Sequence, residues 1–196
     1  EEAAIINLVD QLRNFTPTYV VGSGSLPPGL PPYFYGLIVK NAAAIGAPCI
    51  IDTSGEALKA LKGKGAFLIK PNIGELCQML NIEHLHKNEV DDAASQAVKD
   101  GYAQVVAVSM GPLGAWLVSA SEKHYAPAPE VPRRSTVGAG DSMVAGITYS
   151  LQKGRSLREA LALGVACGSA ATMNSGTQLF NAPDAWRLFE WILEHM

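Results

Sequence analysis

The sequence has 196 residues, of which 48% are hydrophobic and 17% are charged, and this composition excludes an intrinsically disordered chain. Its 15 basic and 18 acidic residues give a net charge of −3, which argues against a nucleic-acid partner or an anionic membrane surface. No apolar run reaches the length of a membrane span, and no basic leader accompanies Glu1-Glu2, so we expect no membrane segment and no signal peptide. The sequence has three cysteines that lie far apart, Cys49, Cys77 and Cys167. This odd number and wide spacing exclude a disulfide framework and indicate a cytoplasmic protein.

The first half of the chain alternates short apolar runs with amphipathic segments. The helical spacing of Ile5, Leu8, Val9 and Leu12 predicts an opening helix. Short strands are then predicted at 19–21, 49–52 and 66–69, and helices at 33–45, 55–62, 74–80 and 89–100. This alternation is typical of parallel β-α-β units.

The pattern changes in the second half. Strands are predicted at 105–108 and 115–118, with a third at 123–126, so we expect antiparallel strands at one edge of a mostly parallel sheet. Helices follow at 140–153, 157–174 and 183–194, with Ser156 as the N-cap of the second and Asp184 in the opening turn of the third. No repeat or linker interrupts the chain, so a single α/β domain is expected.

The sharpest local motif is Gly138-Ala139-Gly140-Asp141, directly before an apolar helical pattern. Glycines at this position let several backbone N–H groups face an anion at the positive end of the helix. An aspartate in the same turn can take a proton from an alcohol, so the motif suits transfer of a phosphoryl group to a hydroxyl. A tight turn with an aspartate that favours the helix dipole is the alternative, and the motif by itself leans towards it.

A second motif, Lys70-Pro71-Asn72 with Glu75, follows a predicted strand. Pro71 fixes the chain direction, so Asn72 and Glu75 can face one point at the carboxyl end of the sheet. An amide oxygen and a carboxylate there suit a hydrated Mg²⁺ ion that carries nucleotide phosphates. Alternatively, Asn72 caps the next helix and Glu75 completes a capping box, and the two interpretations are evenly balanced.

Three further segments are open to two interpretations. The turn from Ser109 to Gly114 can approach a nucleotide or can close an ordinary hairpin. The loop from Gly22 to Gly29 can bind a ligand at the rim of the sheet or can simply connect two elements. Glycines at 164 and 168, inside a predicted helix, imply close approach by another backbone or by a ligand.

Taken together, these segments resemble the ribokinase-type sugar kinases, known as the PfkB family. Residues 135–142 resemble its second signature motif, and residues 70–76 resemble its Asn-x-x-Glu motif. Residues 23–29 are similar to the form found in its phosphofructokinase and tagatose-phosphate kinase branch, and residues 168–177 are most similar to the minor bacterial type of 6-phosphofructokinase. The resemblance covers the whole chain in family order and implies a ribokinase-like α/β fold.

The resemblance implies a role for each matching residue. Asp141 is expected to be the catalytic base, the amides of Gly138, Ala139 and Gly140 the anion hole, and Ser25 a contact to the sugar phosphate. ATP with Mg²⁺ is expected at Lys70, Asn72 and Glu75, where Asn72 and Glu75 hold the metal through water. The remaining expected nucleotide contacts are Ser109, Gly111, Pro112, Leu113, Gly114, Val165 and Ser169. A monovalent cation, K⁺, is expected at Ser135, Val137, Ala171, Asn174, Gly176 and Gln178.

Relatives in this family begin with further strands, a Gly-Gly sugar-binding motif and a lid sheet that often pairs two subunits. Residues 1–196 match the C-terminal two-thirds of a single kinase domain, so we expect the lid to be absent from this sequence. The full-length protein is then expected to be a homodimer. The present chain is expected to transfer phosphate poorly and to self-associate through exposed edge strands.

The activity expected from the resemblance is phosphorylation of fructose 6-phosphate to fructose 1,6-bisphosphate in glycolysis. Tagatose 6-phosphate, fructose 1-phosphate or a free sugar are alternative acceptors, and a nucleoside is a weaker one. An alternative of another class is a non-catalytic fragment that binds nucleotide.

Overall fold

The computed structural model describes residues 11–196, and gives the backbone alone for Leu12 and Arg13. Ile5, Leu8 and Val9 of the predicted opening helix therefore lie outside the described residues, while Leu12 falls in a short 3-10 helix at Gln11–Asn14. The chain divides into two compact units, one ending at Val106 and the other beginning at Ala107. The expectation of a single domain over 1–196 stays a prediction.

Residues 11–196 contain six strands and seven α-helices, joined by loops, turns and two short 3-10 helices. The strands are β1 (Val20–Ser23), β2 (Cys49–Asp52), β3 (Ala66–Ile69), β4 (Ala103–Ser109), β5 (Ala115–Ser119) and β6 (Lys123–Ala126), hydrogen-bonded in the order β1-β2-β3-β4-β5-β6. The helices are α1 (Phe34–Ala44), α2 (Gly55–Lys59), α3 (Ile73–Leu80), α4 (Val90–Lys99), α5 (Ala139–Gln152), α6 (Leu157–Thr172) and α7 (Ala182–His195). No helix in this part of the chain is both long enough and apolar enough to cross a membrane.

The first unit is built on parallel strands. β1 pairs with β2, β2 with β3 and β3 with β4, all in parallel, as the alternation of strands and helices predicts. The centre of the sheet is apolar because parallel strands are covered on both faces, and the side chains of Ile50, Ile51, Leu68 and Ile69 are fully buried. The carboxyl ends of these strands share one edge, which therefore carries the loop after β1 and the segment after β3.

One predicted helix of this unit is too long. The sequence predicts a helix over 55–62, but α2 ends at Lys59 and the chain continues in turns to Gly63. Gly63 has a φ of +71°, and its N–H donates to the Gly101 carbonyl at 2.8 Å. This left-handed residue and its long-range hydrogen bond end the helical path earlier than the apolar pattern indicates.

The second unit contains the antiparallel pair that the sequence predicts. β5 and β6 pair with Trp116 opposite Tyr125 and Leu117 opposite His124. Gly114 precedes β5 with a φ of +91°, and a Cβ atom at this position would lie 2.8 Å from the backbone nitrogen of Ala128. Only glycine fits this turn, because the following segment passes directly over it.

Helices α5 and α6 pack with their backbones close together. A Cβ on Gly146 of α5 would lie 2.7 Å from the Leu163 carbonyl oxygen, and one on Gly164 of α6 would lie 2.6 Å from Cγ1 of Ile147. Gly168 lies against the first residue of α5, since its Cβ would be 3.1 Å from the Ala139 carbonyl. The close approach that the mid-helix glycines predict is therefore confirmed.

Candidate functional site

The N-terminus of α5 is the first part of the candidate site. Gly138 caps the helix with a left-handed backbone, φ +77°, and as a glycine it provides no side chain to accept from the helix donors. The Ala139 N–H donates to the Thr136 carbonyl at 3.3 Å, whereas the Gly140 N–H makes no hydrogen bond within residues 11–196. The Asp141 side chain is exposed on the first turn. Of the three predicted anion-hole amides, that of Ala139 is thus already engaged in a turn.

A cavity of about 230 Å³ opens beside this helix tip, and Ala139 and Gly140 form part of its wall. Most of the predicted nucleotide residues of this unit also line it: Ser109, Gly111, Pro112, Gly114, Val165 and Ser169. Leu113 does not; its side chain is exposed, and its carbonyl accepts a hydrogen bond from the Tyr125 hydroxyl at 2.6 Å. The wall is mainly apolar with a few hydroxyls, as small-molecule sites are.

The predicted monovalent-cation loop is joined by its own hydrogen bonds. The Ser135 hydroxyl donates to the Gly176 carbonyl at 2.8 Å and accepts from the Val137 N–H at 3.2 Å. Asn174 donates through its side chain to the Leu179 carbonyl at 3.0 Å, and its backbone N–H donates to Ala171 at 3.2 Å. The Ser135 hydroxyl therefore already has two hydrogen-bond partners, and the carbonyls of Ala171 and Gly176 have at least one each. Gln178 is exposed, and its backbone N–H donates to the Ser175 carbonyl.

In the first unit, Lys70 lies at the carboxyl end of β3 and is almost completely buried, at 6% exposure. Its ammonium group forms an ion pair with Oδ1 of Asp52, at 3.2 Å, and Asp52 ends the neighbouring strand β2. The sequence motif includes Lys70 but not Asp52, because the two residues are 18 positions apart and no local pattern joins them. The signal was the position of Asp52 at the carboxyl end of a buried parallel strand. A buried lysine must be paired, so this contact fixes the ammonium at the edge of the sheet.

Asn72 and Glu75 form a capping box at the start of α3. Oδ1 of Asn72 accepts from the Glu75 N–H at 2.9 Å, and Oε2 of Glu75 accepts from the Asn72 N–H at 2.8 Å. The structural interpretation of this pair is therefore confirmed. It leaves the second carboxylate oxygen, Oε1, outside the box, and both side chains stay at the edge that also carries Lys70. Oxygen donors of this kind fit Mg²⁺.

The loop that contains Ser25 is held at its base. The Gly24 carbonyl accepts from the Tyr35 hydroxyl at 2.7 Å and from the Thr53 hydroxyl at 2.9 Å, and the Gly24 N–H donates to the Asp52 carbonyl at 2.9 Å. Burial raises the pKa of Tyr35, which keeps its hydroxyl protonated for this contact. Ser25 itself is exposed one residue further along the loop.

The cysteines take no part in these sites. All three are buried and unbridged. Burial raises the pKa of Cys49 to about 12 and that of Cys167 to about 11, so both thiols are protonated at neutral pH and are poor nucleophiles.

Comparison with known proteins identifies the family. Residues 2–185 match the family described as pfkB family carbohydrate kinase. The chain belongs to this family. It is 41% identical over 174 residues to ATP-dependent 6-phosphofructokinase isozyme 2 of Escherichia coli K12, a match that covers 88% of this chain and 56% of that protein. It is 33% identical over 168 residues to 1-phosphofructokinase of Borreliella burgdorferi, covering 85% of this chain and 54% of that protein.

Solved structures of the family confirm the ribokinase-like fold. The crystal structure of phosphofructokinase-2 from Escherichia coli in complex with potassium superposes with a TM-score of 0.92 at 38% identity, covering 98% of this chain and 63% of that one. The predicted likeness to the minor bacterial 6-phosphofructokinase is thus confirmed. The chain spans about half the length of the curated relatives it matches.

Proposed function

We propose that the whole protein transfers the γ-phosphoryl group of ATP to a sugar phosphate, with fructose 6-phosphate as the acceptor and fructose 1,6-bisphosphate as the product. The observation that carries this proposal is the N-terminus of α5. An exposed carboxylate, Asp141, shares one helix tip with the amide of Gly140, which has no hydrogen bond within residues 11–196 and lines a cavity of about 230 Å³. Membership of a family of carbohydrate kinases supports the same reaction.

In the proposed reaction, Asp141 accepts the proton of the attacking sugar hydroxyl. The sugar oxygen forms a bond to the γ-phosphorus as the bond from that phosphorus to the ADP oxygen breaks. Negative charge that develops on the transferring group is stabilised by the positive end of α5, with the amides of Gly138 and Gly140 as donors. Ser109, Gly114, Val165 and other cavity residues would hold the nucleoside.

The proposed metal is Mg²⁺, which when bound neutralises the charge of the ATP phosphates. Asn72 and Glu75 are the residues that would hold it, through water, because each offers oxygen atoms at an exposed helix start. Their capping box orients both side chains before any ligand binds. Lys70 would supply a fixed positive charge, since its pairing with Asp52 holds the ammonium in one place.

We also propose that K⁺ binds the loop formed by Ser135, Val137, Ala171, Asn174, Gly176 and Gln178. Hydroxyl and carbonyl oxygens are suitable ligands, and one structure of the similar Escherichia coli enzyme is described as a complex with potassium. Replacing KCl by choline chloride should lower the activity of the full-length protein. Equal activity in the two salts would contradict this part of the proposal.

The acceptor sugar is the least constrained part of the proposal. Ser25, exposed on a loop with a fixed base, would contact the sugar phosphate. A second candidate acceptor is fructose 1-phosphate, because 1-phosphofructokinases are also among the relatives.

The test is an ADP-release assay on the full-length protein with fructose 6-phosphate, fructose 1-phosphate and tagatose 6-phosphate at equal concentrations. The highest kcat/KM should be obtained with fructose 6-phosphate. No ADP release with any of the three sugars would contradict a kinase function, and ATP binding without release would favour a non-catalytic role. The isolated 196-residue chain is expected to turn over far more slowly than the full-length protein.

A further inference from the structure

One residue of the cavity wall, Arg133, has no role in the mechanism above. It lies in the segment between β6 and α5, and its side chain is exposed. The other residues that line the cavity are apolar, hydroxyl-bearing or glycine, so Arg133 is the single charged side chain in that wall. Its charge therefore dominates the electrostatic preference of the cavity.

Three of the other four arginines of this unit are engaged with neighbours. Arg158 donates to the Leu193 carbonyl at 3.0 Å, Arg187 forms an ion pair with Asp184 at 3.1 Å, and Arg155 stacks over an aromatic ring. The Arg133 side chain, in contrast, has neither a hydrogen bond nor an ion pair to any residue within 11–196. A long cationic side chain at the wall of a cavity without a protein counter-charge is available for an anionic ligand.

The backbone beside Arg133 is anchored. The N–H groups of Arg134 and Ser135 both donate to the Thr172 carbonyl, at 2.8 and 3.3 Å. Thr172 itself lines the cavity, so these bonds hold the residue after Arg133 against the cavity wall. The backbone that carries the Arg133 side chain is therefore held in place, while the side chain itself is exposed at the cavity wall.

A second positive feature lies at the wall of the same cavity. Gly140 lines the wall at the N-terminus of the 14-residue helix α5, and its N–H makes no hydrogen bond to the described chain. A helix terminus and a guanidinium together favour a polyanion, and the apolar remainder of the wall favours a planar ring system. A nucleoside polyphosphate combines both properties.

We propose that Arg133 binds a phosphate group of the nucleotide and makes this cavity selective for phosphorylated over unphosphorylated nucleosides. The proposal rests on the proposed function, because it takes the cavity to be the nucleotide site. It adds a specificity-determining residue that sequence reasoning does not identify. Arg133 acts in binding, so its loss should raise the KM for ATP more than it lowers kcat.

The experiment is a calorimetric titration of the 196-residue chain with ATP, adenosine and inorganic tripolyphosphate at constant salt. Four proteins are compared: wild type, Arg133→Ala, Arg133→Lys and Arg134→Ala. Arg134→Ala is the matched control, since it removes the same charge from the adjacent residue, which is exposed and does not line the cavity. Thermal unfolding by circular dichroism verifies that each variant folds.

We expect Arg133→Ala to weaken ATP binding by about 10-fold to 100-fold, the range for a lost hydrogen bond to a charged group. Adenosine binding should change less than about twofold, because adenosine carries no phosphate for a charge-assisted hydrogen bond. Arg133→Lys should give an intermediate loss of ATP affinity, because lysine keeps the charge and loses the planar fork. Arg134→Ala should bind all three ligands as the wild type does.

Several outcomes overturn the proposal. Equal losses in Arg133→Ala and Arg134→Ala would show a general effect of net charge, and equal losses for ATP and adenosine would show an effect of packing. If the wild type binds neither ATP nor tripolyphosphate, the inference and the nucleotide site both fail. If tripolyphosphate binds in an Arg133-dependent way while ATP binds no better, Arg133 is a general anion site, and the nucleotide selectivity proposed for it is contradicted. If ATP binds equally well to the wild type and to Arg133→Ala, the role of Arg133 fails while the nucleotide site stands.

Discussion

Two consecutive helices of the second unit, α5 and α6, pack together and yet begin in opposite ways. At the start of α6, the Ser156 hydroxyl accepts from the Glu159 N–H at 3.3 Å, and the Glu159 carboxylate accepts from the Ser156 N–H at 3.0 Å. At the start of α5, the cap is Gly138, which has no side chain to accept anything. Helix α6 satisfies its first donors through its own capping box, whereas in α5 the Gly140 N–H has no hydrogen bond within residues 11–196.

The difference shows how to separate structural from functional helix termini. The first N–H groups of any helix lack partners within the helix, so a capping box is the expected stabilising solution. A terminus that forgoes it loses about 1 kcal/mol of stabilisation and keeps an anion site. Helix α3 is an intermediate case, because Asn72 and Glu75 form a box and also lie at the edge that carries Lys70.

The largest expected effect is on catalysis by the uncapped helix. In the full-length protein, Asp141→Asn should lower kcat by about 10²-fold to 10⁴-fold, the usual contribution of a general base. Binding of ATP should change little, since the amide is isosteric and ATP is held by other groups. The matched control is Glu159→Gln, which neutralises the first-turn carboxylate of α6. A near-normal kcat in the Asp141→Asn variant would contradict the role of Asp141 as the general base.

The contact between the two helices should be the next most sensitive feature. Gly146→Ala should lower the free energy of unfolding by about 2 kcal/mol, because the new methyl group would meet the Leu163 carbonyl and overpack the contact. Gly168→Ala should cost less, since its nearest backbone atom would be 3.1 Å away and a small shift relieves the contact. Urea unfolding of both variants measures the difference. An equal cost at the two positions would contradict the described packing.

The capping boxes of α3 and α6 should differ in their response to metal. Glu75→Gln in the full-length protein should raise the Mg²⁺ concentration for half-maximal activity by about tenfold or more, as loss of an outer-sphere ligand partner does. Glu159→Gln should leave that concentration unchanged, although both substitutions alter a capping box of the same design. An identical Mg²⁺ dependence in the two variants would show that Glu75 stabilises the start of the helix and has no part in metal binding.

The smallest expected effect is on acid stability. Hydrogen bonds from the Ser156 hydroxyl and N–H hold the pKa of Glu159 below its ordinary value of 4.5. Because the folded-state pKa is the lower one, this stabilisation is complete above pH 4.5 and is lost as the pH falls through the folded pKa. Glu159→Gln should therefore flatten the decline of the unfolding free energy below pH 4.5. Asp100, whose pKa is lowered by Gln96 and Lys62, should keep part of that decline in the variant.

The sequence predicts the regular elements well where the pattern is local. Strands at 49–52 and 66–69 match β2 and β3 to the residue, because each contains a short apolar run that begins after Pro48 or Gly65 and ends at a charged residue, Asp52 or Lys70. The helix over 55–62 is predicted too long, since its end depends on a hydrogen bond between Gly63 and Gly101, far apart in sequence.

The candidate site divides in the same way. The helix N-terminus with Asp141 can be predicted from adjacent residues. The capping box of Asn72 and Glu75 can be predicted because the two residues are three positions apart in the sequence. Asp52 has one local signal, its place at the end of a predicted strand, and Arg133 has none. The significance of both comes from what the fold brings beside them: Lys70 for Asp52 and the cavity wall for Arg133.

The most direct test of the central claim is an NMR titration of the 196-residue chain, labelled with ¹⁵N-glycine, with Mg²⁺ and ATP. We predict that the amide signal of Gly140 shifts strongly, because its N–H donates a hydrogen bond to a phosphate oxygen, and that Gly114 at the cavity wall shifts as well. Gly154, in the turn before the capped helix α6, should stay unchanged. A Gly140 signal that does not move while ATP demonstrably binds would contradict the account.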